Sequence, residues 1–262
     1  MSDILGKIVK QRRKEIDIYK SLVSIKKLEQ QVQDCPLPIY SLAEALRFSD
    51  SGIIAEFKRR SPSKKWINKN AIADEVGVAY AKSGAAAISV LTESPNFGGI
   101  MDDLVIVAEN VSVPVLKKDF IIDEYQIYKA RLLGASAILL IAAALTKEEV
   151  ERYTKIAQDI GLSVLLELHH EEELDYILPQ HDIIGINNRN LGTFYTDIEK
   201  SHQMASKLPK EAFWVSESGI SNPEDIIALR KSGYRGFLIG ENFMKTDNPG
   251  KALEEFLEQV IG

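Results

Sequence analysis

Cysteine is all but missing from this 262-residue chain. Cys35 is the single one, so no intramolecular disulfide can form, which fits a reducing compartment and a cytoplasmic location. Histidine is scarce too, at four residues, and no Cys/His cluster has zinc spacing. His169 and His170 are neighbours at a strand end and point apart, so no metal is expected there. Long apolar runs are lacking. The longest, Ala137 to Leu145, is far too short to span a bilayer, and the N-terminus mixes charges from Lys7 to Lys20 without an apolar signal core. No membrane partner is expected. Basic residues form only short clusters such as Lys58 to Arg60 within a net charge of −6. That argues against nucleic acid as a partner and leaves room for a local pocket for a small anion.

What is present is the make-up of a soluble globular protein, 45% hydrophobic and 27% charged, long enough for one large domain. Residues 1–34 read as charged helix, with Ile4, Leu5, Ile8 and Val9 starting an apolar stripe. Pro36 and Pro38 break it, and SLAE (41–44) reads as a capping box opening a short helix that stops before Gly52. Residues 1–48 are thus an N-terminal helical extension laid against a domain spanning 49–262.

From Ile53 onward, eight β-branched apolar runs alternate with helical segments, at 53–58, 86–92, 113–118, 137–143, 163–168, 183–188, 213–217 and 236–240. TKEE (146–149) is a capping box, Pro223 sits near a helix start, and Gly84, Gly134, Gly161 and Gly233 follow helix ends. This rhythm predicts right-handed βαβ units and an α/β fold, a single (β/α)8 TIM barrel. The alternative, an open doubly wound sheet, is disfavoured because no Gly-x-Gly-x-x-Gly follows the first strand.

In such a barrel the active site lies at the C-terminal ends of the strands. Chemistry-bearing side chains gather there: Glu56 and Lys58; Lys117, Lys118 and Asp119; Glu167; Asn187 and Arg189; Glu217, Ser218 and Gly219; and Gly240. Side chains alternate across a strand, so Glu56 and Lys58 share a face that Phe57 and Arg59 do not. Any one of these residues has a structural explanation, as an ion pair, a cap or a tight turn. Clustering at the same end of strand after strand favours a site. Ser218-Gly219 and Gly240-Glu241 match the usual phosphate cradle of these barrels, with Ser61 and Arg189 as side-chain donors. Glu241 suits that cradle only if its side chain turns away. No redox cofactor, metal cage or activated nucleophile is implied, so no cofactor is expected. The set suits acid–base chemistry on a phosphorylated small molecule.

The runs IIAEFKRRSPS (53–63), VLKKDF (115–120), LLEL (165–168), GINNRN (185–190), SESGI (216–220) and FLIGENFM (237–244) closely resemble the indole-3-glycerol phosphate synthase family of tryptophan biosynthesis, over nearly the whole chain. The resemblance implies a lyase. It would close the ring of 1-(2-carboxyphenylamino)-1-deoxyribulose 5-phosphate to give indole-3-glycerol phosphate, carbon dioxide and water. It also implies Lys118, rather than Lys117, as the general acid. Lys58 contacts the substrate carboxylate and serves as acid in dehydration, Glu167 is the proton acceptor and Glu56 a competing base. Asn187, Glu217 and Ser218 orient substrate and lysines. By the same resemblance Ser61, Arg189, Gly219, Gly240 and the N–H of Glu241 would bind phosphate, and Phe97, in the looser match LTESPNFGG (91–99), would either line the anthranilate pocket or pack its loop. After SPS (61–63) the family pattern leads one to expect glycine, but Lys64-Lys65-Trp66 follows, so Trp66 either covers substrate or anchors its loop. Two other readings remain open at this point. One is a related barrel acting as isomerase or Schiff-base aldolase; the other is a non-catalytic phosphate-binding barrel. The expected assembly is a monomer or weak homodimer.

Overall fold

A computed structural model of the chain describes residues 4–261. Residues 1–3, where the expected first helix begins, and residue 262 lie outside the described residues. Eight strands form a closed parallel barrel in sequence order: β1 (Ile53–Phe57), β2 (Ala87–Leu91), β3 (Val115–Lys118), β4 (Ala137–Ile141), β5 (Ser163–Leu168), β6 (Ile183–Asn187), β7 (Phe213–Glu217) and β8 (Gly236–Ile239). The barrel closes where Ile53, Ile54 and Ala55 pair with Phe237, Leu238 and Ile239. All eight expected strands are present, several of them shorter than expected. β3 begins at Val115 because Pro114 has no N–H to give the ladder, although its carbonyl still accepts from Ile88 at 2.9 Å. β4 ends at Ile141, and Ala142–Ala144 wind into a 3-10 turn.

Strand alternation sorts the apolar side chains into two layers. Ile54, Leu116, Leu139, Leu165, Val215 and Leu238 fill the barrel interior. Ile53, Phe57, Val90, Leu140, Ile184 and Phe237 belong to the larger cluster between barrel and helices. Both layers are apolar, as a parallel sheet covered on both faces requires. The same parity, carried to the C-terminal ends, sends residues 56, 118, 167, 187 and 217 inward.

Three helices precede the barrel: α1 (Ile4–Leu22), α2 (Ile25–Gln33) and α3 (Leu42–Phe48). Ser24 separates the first two, its side chain accepting from the Lys27 N–H as an N-cap. Ser41 likewise accepts from Glu44 N–H at 3.2 Å, but the expected capping box is only half made. The Glu44 carboxylate turns one helical turn along to Arg47 at 3.0 Å. The box at Thr146 and Glu149 is complete.

The arm reaches both ends of the barrel. α1 lies across the C-terminal ends of β2 and β3, where Arg12 donates to the Thr92 carbonyl at 3.3 Å and to Asp119 at 2.6 Å. Thr92 and Lys117 also donate to Asp119. Burial alone would push the Asp119 carboxyl up, but Lys117 and Arg12 outweigh it and hold it below the usual range. The chain then follows the helix Glu124–Leu132, where Arg131 donates to the Leu37 carbonyl at 2.9 Å. At Gly161 (φ 84°) a Cβ would come within 2.9 Å of Ile39, so glycine serves both the left-handed turn and the close approach. α3 closes the N-terminal end, with Leu42 and Leu46 packed into the interior cluster. Among the described residues, no helix is long and apolar enough to cross a membrane.

Removing one member of a buried charge cluster strands the others. Arg12→Met is therefore expected to lower unfolding free energy by roughly 3 kcal/mol, measured by urea denaturation. An unchanged midpoint would show that Lys117 and Thr92 satisfy Asp119 without α1.

Candidate active site

The barrel's C-terminal mouth holds a cavity of about 250 Å³, and of the side chains gathered for the site from the sequence, all but Lys117 line it. At its floor Lys118 reaches from β3 between two opposing strands. It donates to Glu167 on β5 at 2.7 Å and to Glu217 on β7 at 2.5 Å. Gly185, paired with Glu167 across β5 and β6, leaves the space that the Glu217 carboxylate occupies, since a Cβ there would lie 2.2 Å from Oε1. Lys58 donates to Glu56 on the β1 side. Gly240 makes room for Glu56 in the same way. The two adjacent lysines of β3 are now distinguished. Lys118 points into the barrel, whereas Lys117 is fully buried on the outer side with Asp119.

The electrostatics follow from this crowding. Burial would push the Lys118 ammonium down, but Glu167, Glu217 and Glu56 outweigh it and hold it above the ordinary lysine value. Burial pushes the Glu217 carboxyl up to about 8, reinforced by the neighbouring Glu167 charge and opposed by Lys118. Glu167 goes the other way, to about 2: burial would raise it, but the Lys118 charge dominates. The shared site thus drives the two carboxyls apart, Glu217 toward the neutral form and Glu167 toward the ionised form. Asn187 lies beside them, its side-chain oxygen accepting from the Arg189 N–H at 3.0 Å.

One side of the cavity is built for an anion. Ser218 and Gly219 both have positive φ, 66° and 83°. A side chain at such an angle costs on the order of 1 kcal/mol, a strain often kept at functional turns. Gly240 precedes the short helix Glu241–Met244, whose first N–H groups have no partner within the helix. The Glu241 side chain is paired with Lys64, so its charge is countered on the spot. Arg189 donates to Ser63 at 2.9 Å, and Ser61 accepts from the Lys64 N–H at 3.2 Å. These contacts draw the loop after β1 over the same side.

The other side is apolar. Phe97 and Phe120 pack with ring centroids 6.1 Å apart, tilted by 39°. Phe120 was missed as a wall residue. Its signal was parity, since it stands two residues beyond Lys118. Leu191 and Phe194, also in the wall, sit on a loop held by a bridge between Arg189 and Thr196 that no periodicity announces. Trp66 is outside the lining. It bridges to Arg60, whose guanidinium lies 5.7 Å from its ring centroid, and packs beside Gly98, so it anchors the loop. Among the described residues, no three His, Cys, Asp or Glu side chains are grouped to hold a metal ion.

Similarity to known proteins agrees with this layout. The family model described as indole-3-glycerol phosphate synthase matches residues 5–256. An indole-3-glycerol phosphate synthase of Bacteroides thetaiotaomicron is 51% identical over 260 residues, covering 99% of this chain and 100% of its own length. One from Carboxydothermus hydrogenoformans is 44% identical, covering 97% of this chain and 99% of its own length. Among solved structures, a chain of the tryptophan synthase complex from Pyrococcus furiosus superposes with a TM-score of 0.60 at 14% identity, over 82% of this chain and 99% of its own length, a likeness of fold alone. With a family match over nearly its whole length and full-length relatives at these identities, the chain belongs to the indole-3-glycerol phosphate synthase family.

Proposed function

We propose that this chain closes the indole ring of 1-(2-carboxyphenylamino)-1-deoxyribulose 5-phosphate, with Lys118 as general acid and Glu167 as base. The observation that carries the assignment is a charged ammonium buried between two carboxyl groups, with an anion-binding side and an aromatic side flanking it. The substrate fits that polarity, with a phosphate at one end and a carboxyphenyl ring at the other. In this reading residues 49–262 form the catalytic barrel and residues 1–48 an arm that steadies its mouth.

The ring carbon bearing the carboxylate attacks the ketone carbon, and Lys118 protonates the oxygen as charge builds on it. The bond to the carboxylate then breaks. Carbon dioxide leaves, and its electron pair returns the cationic ring to aromaticity. The new hydroxyl departs as water with a proton from Lys58, while Glu167 takes a proton from the carbon beside the anilino nitrogen. Glu56 pairs with Lys58 and aims it into the cavity. Asn187, Ser218 and Glu217 orient hydroxyls and the Lys118 ammonium. Arg189, Ser61 and the turns at Gly219 and at Gly240-Glu241 bind the phosphate, and Phe97 with Phe120 holds the carboxyphenyl ring. Lys64 neutralises Glu241, which suits that residue to an anion site.

Incubating the purified protein with this substrate and a chelator, and following indole fluorescence, tests the reaction. Binding without turnover would favour a non-catalytic barrel. Lys118→Ala is expected to lower kcat by about 10²–10⁴-fold while affinity for a phosphate-bearing ligand persists; loss of both together would make Lys118 structural. Arg189→Ala should raise KM by about 10- to 100-fold with kcat little changed, and the converse pattern would overturn its role as a phosphate anchor. The opposite shifts of the two carboxyls predict an asymmetry between them. Glu167→Gln removes a base and should reduce kcat at least about 100-fold, whereas Glu217→Gln, which mimics its neutral form, should cost less than about 10-fold. Equal losses would mean that both carboxyls work ionised.

A further inference from the structure

None of the steps above uses a histidine, yet His169 is pressed against the proposed base. It follows β5 two residues after Glu167, is 2% exposed, and places Nε2 3.2 Å from Glu167 Oε1. That contact is off the line of a hydrogen bond, and neither ring nitrogen has a hydrogen-bond partner among the described residues. A buried imidazole with both nitrogens unpaired is costly unless it serves some other group. Its backbone is held firmly, with the His169 and His170 N–H groups donating to Glu173 at 2.5 and 3.2 Å. The ring does not line the cavity, so it cannot touch substrate and acts only through Glu167.

We propose that His169 is a positioning residue for Glu167: as its Nε2–H tautomer it holds Oε1 from behind, so that Oε2 is presented to Lys118 and the substrate. The inference rests on Glu167 being the base. The two carboxylate oxygens are already divided in this way, since Lys118 takes Oε2 and His169 faces Oε1. Glu167 and Glu173 on one side, and Lys200 and Lys118 on the other, are the charged groups that act on the ring. Burial outweighs the two carboxylates and keeps the imidazole neutral. A neutral ring facing a carboxylate is attractive only if the nitrogen turned toward it carries the proton, which selects the Nε2–H tautomer. When Glu167 leaves Lys118 to take the substrate's proton, His169 remains as a donor that keeps the carboxylate aimed and ionised. A small ring rotation brings the contact into line, as catalytic hydrogen bonds commonly tighten once substrate is bound.

The test compares His169→Phe, which removes the donor but keeps a ring, with His169→Gln, which restores an N–H near the Nε2 position. The Phe variant is expected to lose about 10- to 100-fold in kcat with KM nearly unchanged. The acidic limb of its kcat profile should move to higher pH, because Glu167 without its donor binds a proton more readily. The Gln variant should recover most of the loss. Native kcat and pH profile in the Phe variant, or equal loss in both variants, would overturn the proposal. Nitrogen-15 NMR of the histidine-labelled native protein reads the tautomer directly, independently of how any variant folds, and an Nδ1–H ring at position 169 would overturn it as well. Glu167→Gln, assayed alongside, separates the two readings. Full turnover there removes Glu167 as base, whereas its loss beside a fully active Phe variant removes only the role of His169.

Discussion

A lysine ammonium buried among carboxyl groups is the constraint on which the rest of this structure depends. Taken alone, neither Lys118 nor the glutamates around it could stay charged away from water, because desolvation disfavours the ionised form of each. Together Lys118 and Glu167 can, provided that β3, β5 and β7 deliver their ends to one point. A closed barrel does this without any single loop having to be long or finely shaped. The alternation that fills the interior with Leu116, Leu165 and Val215 also sends Lys118, Glu167 and Glu217 inward one step further along. Core and cavity floor are successive layers of the same stack.

The surroundings read as support for that charge cluster. Glycine at 185 and at 240 gives the carboxylates of Glu217 and Glu56 the space that any side chain would fill. Arg12, Lys117 and Asp119 form a second buried charge cluster on the outer side of the same strand end. Asp119 adjoins Lys118 in sequence, so α1 fixes the backbone from which the proposed acid extends.

Much of this was legible in the sequence, since barrels rest on short periodicities and on positions relative to strand ends. Eight apolar runs gave the strands, and charged residues just past them gave the site. Parity placed Glu56 with Lys58 and set Phe57 apart, as the structure has them. It could not choose between Lys117 and Lys118, because both neighbours could be paired and only the barrel's closure says which face is inside. What was illegible was pairing across distance. Lys64 meeting Glu241, Arg189 meeting Ser63 and Arg12 meeting Asp119 are contacts between loops or helices whose approach no local pattern encodes. His169 illustrates the other limit. Its sequence neighbours argued only that it holds no metal, and its closeness to Glu167 follows from the way the chain leaves β5.

The arm's grip on both ends of the barrel bears on how the chain is made. α3 seats Leu46 near Gly236 at the start of β8, and Leu42 donates its N–H to Ser163 on β5. These residues are translated well before β8, yet their seat is incomplete until that strand has followed. Until then the apolar face of α3 has no complete home, and the half-made chain must carry it through most of synthesis. Contacts so distant in sequence are slow to form, and exposed apolar helices in a waiting chain are what chaperones recognise. α3 thus precedes the barrel in synthesis yet settles only with its last strand, and its docking marks the completion of the barrel.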